Sequence, residues 1–254
     1  MQLRILFSLS IFFLLACQSK PSETKSSTAA SSPQNSNTIL SEFAPNPNRV
    51  QEVEHFYRIL QNDIEAGAMR VSIFAEPNAW LIEEHSTLNL ASIEEVIRTR
   101  VTSSNLRPIA HEVRGSISGE PLDITVKWQG NHVEGHSQFP RPEHKRQGNL
   151  IVNADLPAGT QERTATFHLL STLDLEEGTE IKFPWFNGLY AQLDNIHLKV
   201  TGTVMKTVPA GTFECLRIEL IGADPSQIVF LSKEQPRKIV SIEVFDLPWK
   251  FELL

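Results

Sequence analysis

The sequence of 254 residues lacks two features that would place it in common functional classes. Apart from one short run at its N-terminus, it has no apolar stretch that approaches the roughly 18 residues of a transmembrane helix. Basic residues are in the minority, with 23 Lys and Arg against 30 Asp and Glu, for a formal net charge of -7. Binding to nucleic acid depends on basic contacts to phosphate, so we expect no nucleic-acid partner.

The N-terminus carries the clearest motif of the chain. Arg4 precedes an apolar run over residues 5–15, which as a helix would reach roughly 16 Å, about half of a bilayer core. The run ends in Leu14-Leu15-Ala16-Cys17, which resembles the lipobox of bacterial lipoproteins. This pattern predicts a signal peptide over residues 1–16 and lipid attachment at Cys17. The alternative is an ordinary signal peptide that ends beside a chance cysteine.

The predicted anchor has consequences for charge, partners and location. Loss of residues 1–16 removes Arg4 and takes the net charge from -7 to -8. The membrane partner would be reached through lipid alone, and two or three acyl chains hold firmly because each buried CH₂ contributes about 0.8 kcal/mol. Gln18 stands where many inner-membrane lipoproteins of Gram-negative bacteria have aspartate. By that resemblance we expect a periplasm-facing protein on the outer rather than the inner membrane.

The composition divides the rest of the chain into two parts. Residues 17–48 are rich in Ser, Thr, Asn, Pro and Ala, and such a segment cannot bury enough apolar surface to offset its ordering entropy. It is predicted to be a disordered, lipid-anchored tether. Residues 49–254 form the predicted folded domain. With Cys17 acylated, Cys215 would be the one remaining cysteine, and its strand-like surroundings predict a small core residue.

Alternation of apolar and polar residues predicts that the domain is mainly β. Period-two patterns, typical of half-buried antiparallel strands, occur over residues 109–117, 122–128, 132–138, 196–204 and 249–253, with further strands near 53–60, 67–76, 79–88 and 93–101. One helix is predicted over residues 163–173. Residues 182–188 are predicted to be a surface loop because Pro184 would remove a ladder donor; its aromatic residues would form a lid, a membrane-touching tip or a partner contact.

A hairpin near the C-terminus carries a family resemblance. Pro209 and Gly211 suit a turn between strands 196–208 and 212–222, in the run Val208-Pro209-Ala210-Gly211-Thr212-Phe213-Glu214-Cys215. This hairpin, together with Val200-Thr201-Gly202 and Phe251-Glu252-Leu253-Leu254, resembles the bacterial exported family called domain of unknown function 3108. The resemblance covers about residues 51–254. It implies one strongly curved antiparallel sheet, an open half-barrel or barrel-like, with one short helix, similar to the LolA and LolB lipoprotein carriers. It implies no activity.

A search for catalytic and metal-binding patterns predicts none. Gly115-Ser116-Ile117-Ser118-Gly119 places Ile, not Ser, at the centre of the G-x-S-x-G motif, and it lies in a hairpin. His132, His136 and His144 lie near one another in the sequence, and His132, Glu134 and His136 would share one face of a strand, but exposed polar side chains explain that pattern better than a metal site. The acidic residues of 174–180 lack the ligand series of a calcium loop. We therefore expect no enzyme, no cofactor and no metal.

Large aromatic residues give the functional hypothesis. In an open half-barrel some of them would line a concave apolar face, and these are the ligand-binding candidates Trp80, Trp128, Trp185, Phe186 and Trp249. In a closed sandwich they would simply be core. The leading hypothesis is a non-enzymatic lipoprotein that binds an apolar or lipid-like ligand or an envelope component. The alternatives are an assembly lipoprotein that contacts other envelope proteins and, with least support, a hydrolase.

Overall fold

A computed structural model of the protein describes residues 39–89, 92–139, 148–223 and 225–254. Cys17, the signal peptide and most of the predicted tether lie outside these residues. The elements are β1 Ile39–Ser41, β2 Val53–Gln61, β3 Ile64–Glu76, β4 Ala79–Leu88, β5 Ile93–Thr102, β6 Pro108–Ile117, β7 Glu120–Gln129, β8 His132–Phe139, β9 Gly148–Asp155, β10 Gln161–Glu162, helix α1 Arg163–Leu169, β11 Thr179–Asn187, β12 Gln192–Val208, β13 Gly211–Ile221, β14 Gln227–Ser232, β15 Ile239–Val244 and β16 Trp249–Leu253. Short 3₁₀ turns span Pro47–Arg49 and Leu170–Thr172.

The strands form one sheet that does not close. Its order is β1-β11-β12-β13-β14-β15-β16-β2-β3-β4-β5-β6-β7-β8-β9, and β10 pairs with β11 beside this path. Every pairing along the sheet is antiparallel except those of β1 and β10, which run parallel to β11. The last strand, β16, pairs with β2, and Phe251 lies opposite Ile59 in this pair. The predicted mainly β fold with a curved, open antiparallel sheet is confirmed.

Alternation along the strands gives the sheet an inner face. In β5 the side chains of Ile93, Glu95, Ile97, Thr99 and Val101 are all buried, whereas the residues between them are exposed or half-buried. Most buried apolar side chains join a single cluster, which runs from the β2 region through α1 to β16. A smaller cluster forms around Ile82 and Leu169. The concave side of the sheet is therefore filled with side chains over most of its extent.

Helix α1 lies against the inner face of the sheet. The Glu162 carboxylate caps the helix by accepting a hydrogen bond from the Ala165 amide at 2.7 Å, which satisfies one of the free donors of the first turn. The Thr166 hydroxyl donates to the Glu162 carbonyl at 2.8 Å. The 3₁₀ turn at Leu170–Thr172 continues the helix, so the predicted helical segment 163–173 is confirmed with a tighter last turn. Within the described residues, no helix is long and apolar enough to cross a membrane.

The prediction of a surface loop over residues 182–188 is wrong. These residues belong largely to β11, and Phe183, Trp185 and Phe186 are buried. Pro184 pairs with Asn195 on β12, and on its other side it lies between the stretches that pair with β1 and β10. Proline is tolerated there because this flank of the strand has no continuous ladder that needs its missing N–H group.

The folded domain begins before residue 49. Residues 39–41 pair with residues 179–181, and the Phe43 ring packs against Phe183 with centroids 4.5 Å apart. The composition of residues 17–48 did not indicate that part of this segment joins the sheet, because Phe43 is its single aromatic residue. The long hairpin of β12 and β13 is confirmed, with a bulge between Val200 and Gly202 and a turn at residues 209–210.

Candidate functional site

Strand register assembles the candidate site from residues far apart in sequence. One row across the inner face of the sheet contains His55 on β2, Val71 on β3 and Glu84 on β4, because each pairs directly with the next. The neighbouring row contains Val53, Ile73, Ile82, Thr99 and His111 by the same pairing. Each of these rows contains both apolar and polar side chains, so this part of the inner face is chemically mixed.

A buried network of charged and polar groups joins the sheet to α1. His168 Nε2 lies 2.7 Å from Glu84 Oε1, and both side chains are largely shielded from solvent. His111 Nδ1 lies 3.0 Å from the Thr99 hydroxyl and 3.2 Å from Glu162 Oε1. Buried polar groups of this kind are tolerated only when they have partners, so the network specifies where α1 sits on the sheet.

Arg163 is the cation of this network. Its side chain is only 4% exposed, and its guanidinium carbon lies 5.9 Å from the ring centroids of both Phe167 and Trp185. Burial lowers the pKa of Arg163 to about 10, although the nearby Glu162 and Glu84 carboxylates act in the opposite direction. The group therefore stays protonated at neutral pH and balances the buried carboxylates.

A cavity of about 60 Å³, room for a few water molecules, lies between the inner face, the end of α1 and residues 235–239. One wall is apolar and is formed by Val71, Ile73, Trp80, Ile82, Val101 and Leu169. The polar residues His55, Tyr57 and His168 also line the cavity. The Tyr57 hydroxyl donates to the Ile239 carbonyl at 3.0 Å, and burial raises the pKa of Tyr57 well above its usual value. The cavity is thus amphipathic, and His168 links it to the buried network.

The rim of the cavity is cationic. Arg49, Arg237 and Lys238 all line it. Arg237 donates to the Leu173 carbonyl at 3.1 Å and to the Leu175 carbonyl at 3.3 Å, and burial together with the charge of Arg49 lowers its pKa. The Asp174 carboxylate pairs with Arg49 at 2.5 Å, and its charge acts in the opposite direction on the pKa of Arg237.

His55 lies beside these cations at the cavity. Burial lowers the pKa of His55 first, and the charges of His168 and Lys238 lower it further, against a smaller raising effect of a hydrogen bond to the Glu54 backbone. His55 therefore gains a proton less readily than an exposed histidine, mainly because it is partly buried.

The structure separates the five aromatic candidates. Trp80 lines the cavity. The other four, Trp128, Trp185, Phe186 and Trp249, are buried in the main cluster. Trp128 packs edge-on against Phe186 with centroids 5.9 Å apart, and Trp185 packs at the same distance against Phe167. In this structure those four rings contact other core side chains rather than the cavity.

Sequence reasoning missed the polar members of the site, namely His55, Glu84, His111, Glu162, Arg163, His168 and Arg237. The alternation along β4 could have identified one of these residues, Glu84. In β4 the inward positions run Ile82, Glu84, Ser86 and Leu88, so the phase of the strand places a carboxylate on the buried face. The partner of Glu84 is 84 residues away, and no local pattern indicates it.

The remaining sequence motifs occupy structural positions. His132 pairs with Asp155 at 2.8 Å and His136 with Asp123 at 3.0 Å. In the described part of the chain, no group of three or more His, Cys, Asp or Glu side chains could hold a metal ion; His144 lies outside it. Cys215 is fully buried, and burial raises the pKa of its thiol to about 11, so the core position predicted for it is confirmed.

Fold and site together define a barrel-like protein with an open, curved sheet whose concave side is mostly filled. The chain belongs to the family described as protein of unknown function (DUF3108), whose model matches residues 57–246. Its fold is similar to the crystal structure of a beta-barrel-like protein of domain of unknown function DUF1849 from Brucella abortus, with a TM-score of 0.52 and 8% identity over 80% of this chain and 95% of that one. No curated protein matches the chain.

Proposed function

We propose that this domain binds an apolar or lipid-like ligand without chemical turnover, and that the cavity beside α1 is the binding site. The observation that carries the proposal is the apolar wall of Ile73, Trp80 and Leu169, which lies next to polar groups in an otherwise filled interior. Small-molecule sites commonly combine such walls with a few oriented polar groups. A cavity of about 60 Å³ has room for the end of an alkyl chain but not for a whole lipid molecule, so most of the ligand would extend outside the cavity.

Filling the cavity should abolish this binding. Ile73→Trp places a large side chain in the apolar wall, and we expect it to weaken octanoate binding to the full-length chain at least tenfold, as measured by isothermal titration calorimetry. Ser171→Phe, which fills the cavity from the side of α1, should have the same effect if Ile73→Trp disturbs the sheet. Ile64→Trp, at a site 70% exposed, is the matched control and should change the affinity less than twofold. Equal affinities for all four proteins would exclude the cavity as the site.

The second part of the proposal is the membrane anchor. A lipidated Cys17 would hold the domain at the surface of the bacterial envelope, facing the periplasm, with the outer membrane favoured by Gln18. Cells given a clickable fatty acid should label the full-length protein, and Cys17→Ser should lose that label completely. Cys215→Ser is the control and should keep the label, because Cys215 is buried. Label retained in Cys17→Ser would contradict the anchor.

A second candidate function is an assembly lipoprotein that binds another envelope protein. It is favoured by the burial of Trp128, Trp185, Phe186 and Trp249, which fills most of the concave side. Octanoate binding that Ile73→Trp abolishes would support the ligand-binding role. Absence of binding by the unmodified chain would favour the assembly role.

A further inference from the structure

Three cationic side chains lie at the cavity rim, and one carboxylate, that of Asp174, pairs with Arg49 and acts through its charge on Arg237. Arg49, Arg237 and Lys238 line the rim, and His55 lies just inside it. The opposing carboxylates are Asp174, which is 84% exposed and pairs with Arg49, and Glu84, which is buried and pairs with His168. Neither of them forms an ion pair with Arg237 or Lys238 among the contacts of the described residues.

The two cations of the 237–238 segment are held in place by neutral groups. Arg237 is fixed by the carbonyls of Leu173 and Leu175, and its buried Nε has no hydrogen-bond partner in the described part of the chain. Lys238 Nζ lies 4.7 Å from the centroid of the Phe213 ring. Carbonyls and an aromatic face orient a cation without removing its net charge, so both side chains keep their capacity to attract an anion.

We propose that the ligand of this cavity is an anionic amphiphile, whose carboxylate or phosphate group binds at Arg49, Arg237 and Lys238 while its apolar chain contacts the wall formed by Ile73 and Trp80. The inference rests on the proposed function and adds the chemical class of the ligand. The arrangement places an apolar wall and a cationic rim at one opening, which matches a molecule with one apolar and one anionic end. Partial burial strengthens the attraction relative to an exposed surface charge.

The anionic head group of the ligand can be tested separately from its alkyl chain. Octanoate, octyl phosphate and octan-1-ol share the same alkyl length but differ in charge. Calorimetry on the full-length protein should show both anions binding at least tenfold more tightly than the alcohol. Raising the salt concentration should weaken the anions and leave the alcohol unchanged.

Lys238→Gln is the most direct variant because Lys238 makes no hydrogen bond that holds the fold among the described contacts of its ammonium group. It should weaken octanoate and octyl phosphate about fivefold to tenfold and leave octan-1-ol within twofold. Lys127→Gln removes an exposed lysine of β7, outside the cavity, and should change none of the three affinities. Arg49→Gln provides a second rim variant and should act in the same direction as Lys238→Gln.

The outcomes separate the two proposals. Equal affinity for octanoate and octan-1-ol would overturn the anionic head group and leave ligand binding in place. Failure of all three compounds to bind would overturn the ligand-binding function itself. Tighter binding of octyl phosphate than octanoate, or the reverse, would support the proposal in either case and assign the head group as phosphate or carboxylate.

Discussion

Replacing Arg163 with methionine should destabilise the domain by about 3–5 kcal/mol, because removal of one member of a buried charged network leaves the others uncompensated. Arg163 is buried among Glu162, Glu84 and Glu95, whose charges act on it, and methionine keeps much of its apolar stem. The loss should be visible as a lower urea midpoint in unfolding followed by tryptophan fluorescence.

Two further variants separate charge from packing at this position. Arg107→Met removes an exposed arginine and should change the unfolding free energy by less than about 0.5 kcal/mol. Glu162→Gln removes one buried carboxylate but keeps an oxygen that can accept the Ala165 amide. Combined with Arg163→Met, it should cost less than the sum of the two single changes. Full additivity, or a loss below about 1 kcal/mol for Arg163→Met, would contradict the role of Arg163 as the balancing cation.

Trp185→Ala should cost about 3–5 kcal/mol in unfolding free energy, the range for truncation of a large buried aromatic residue. Its side chain is fully buried, packs against Phe167, and donates from Nε1 to Asp194 Oδ2 at 3.3 Å. Truncation therefore removes apolar contacts on the inner face and leaves a void in the main cluster.

Trp80→Ala is the matched comparison, because Trp80 is only partly buried and lines the cavity. We expect it to cost less than half as much stability as Trp185→Ala, as measured by urea unfolding, and to weaken octanoate binding more strongly. If Trp185→Ala instead left stability unchanged and abolished binding, Trp185 would be a ligand contact rather than a core residue.

Sequence periodicity predicted most strands whose outer faces meet solvent, although not β9, and it missed β14 and β15, which are buried on both faces. Strands β4 and β5 alternate clearly, and their predicted bounds agree with the structure within one or two residues. Strands β14 and β15 are buried at nearly every position and were not predicted. Lys206 of the long hairpin covers their outer side, with Nζ 2.5 Å from Glu243 and 4.2 Å from the Phe230 ring centroid. A strand covered on both faces has no period-two signal.

The candidate site was less predictable than the fold because its members are brought together by register. Trp80 was identified by its size, and Glu84 could have been identified from the phase of β4. The ion pair of His168 with Glu84 and the position of Arg237 depend on how α1 and the 235–239 segment fold onto the sheet. Such contacts between distant segments leave no local pattern in one sequence.

Native mass spectrometry of the full-length protein, with its cell-derived ligands retained, tests the central claim of ligand binding most directly. We expect a co-purifying anionic amphiphile at about one molecule per chain, reduced at least tenfold in Ile73→Trp and retained in Ile64→Trp. A ligand-free unmodified protein that also fails to take up added octanoate or octyl phosphate would contradict it.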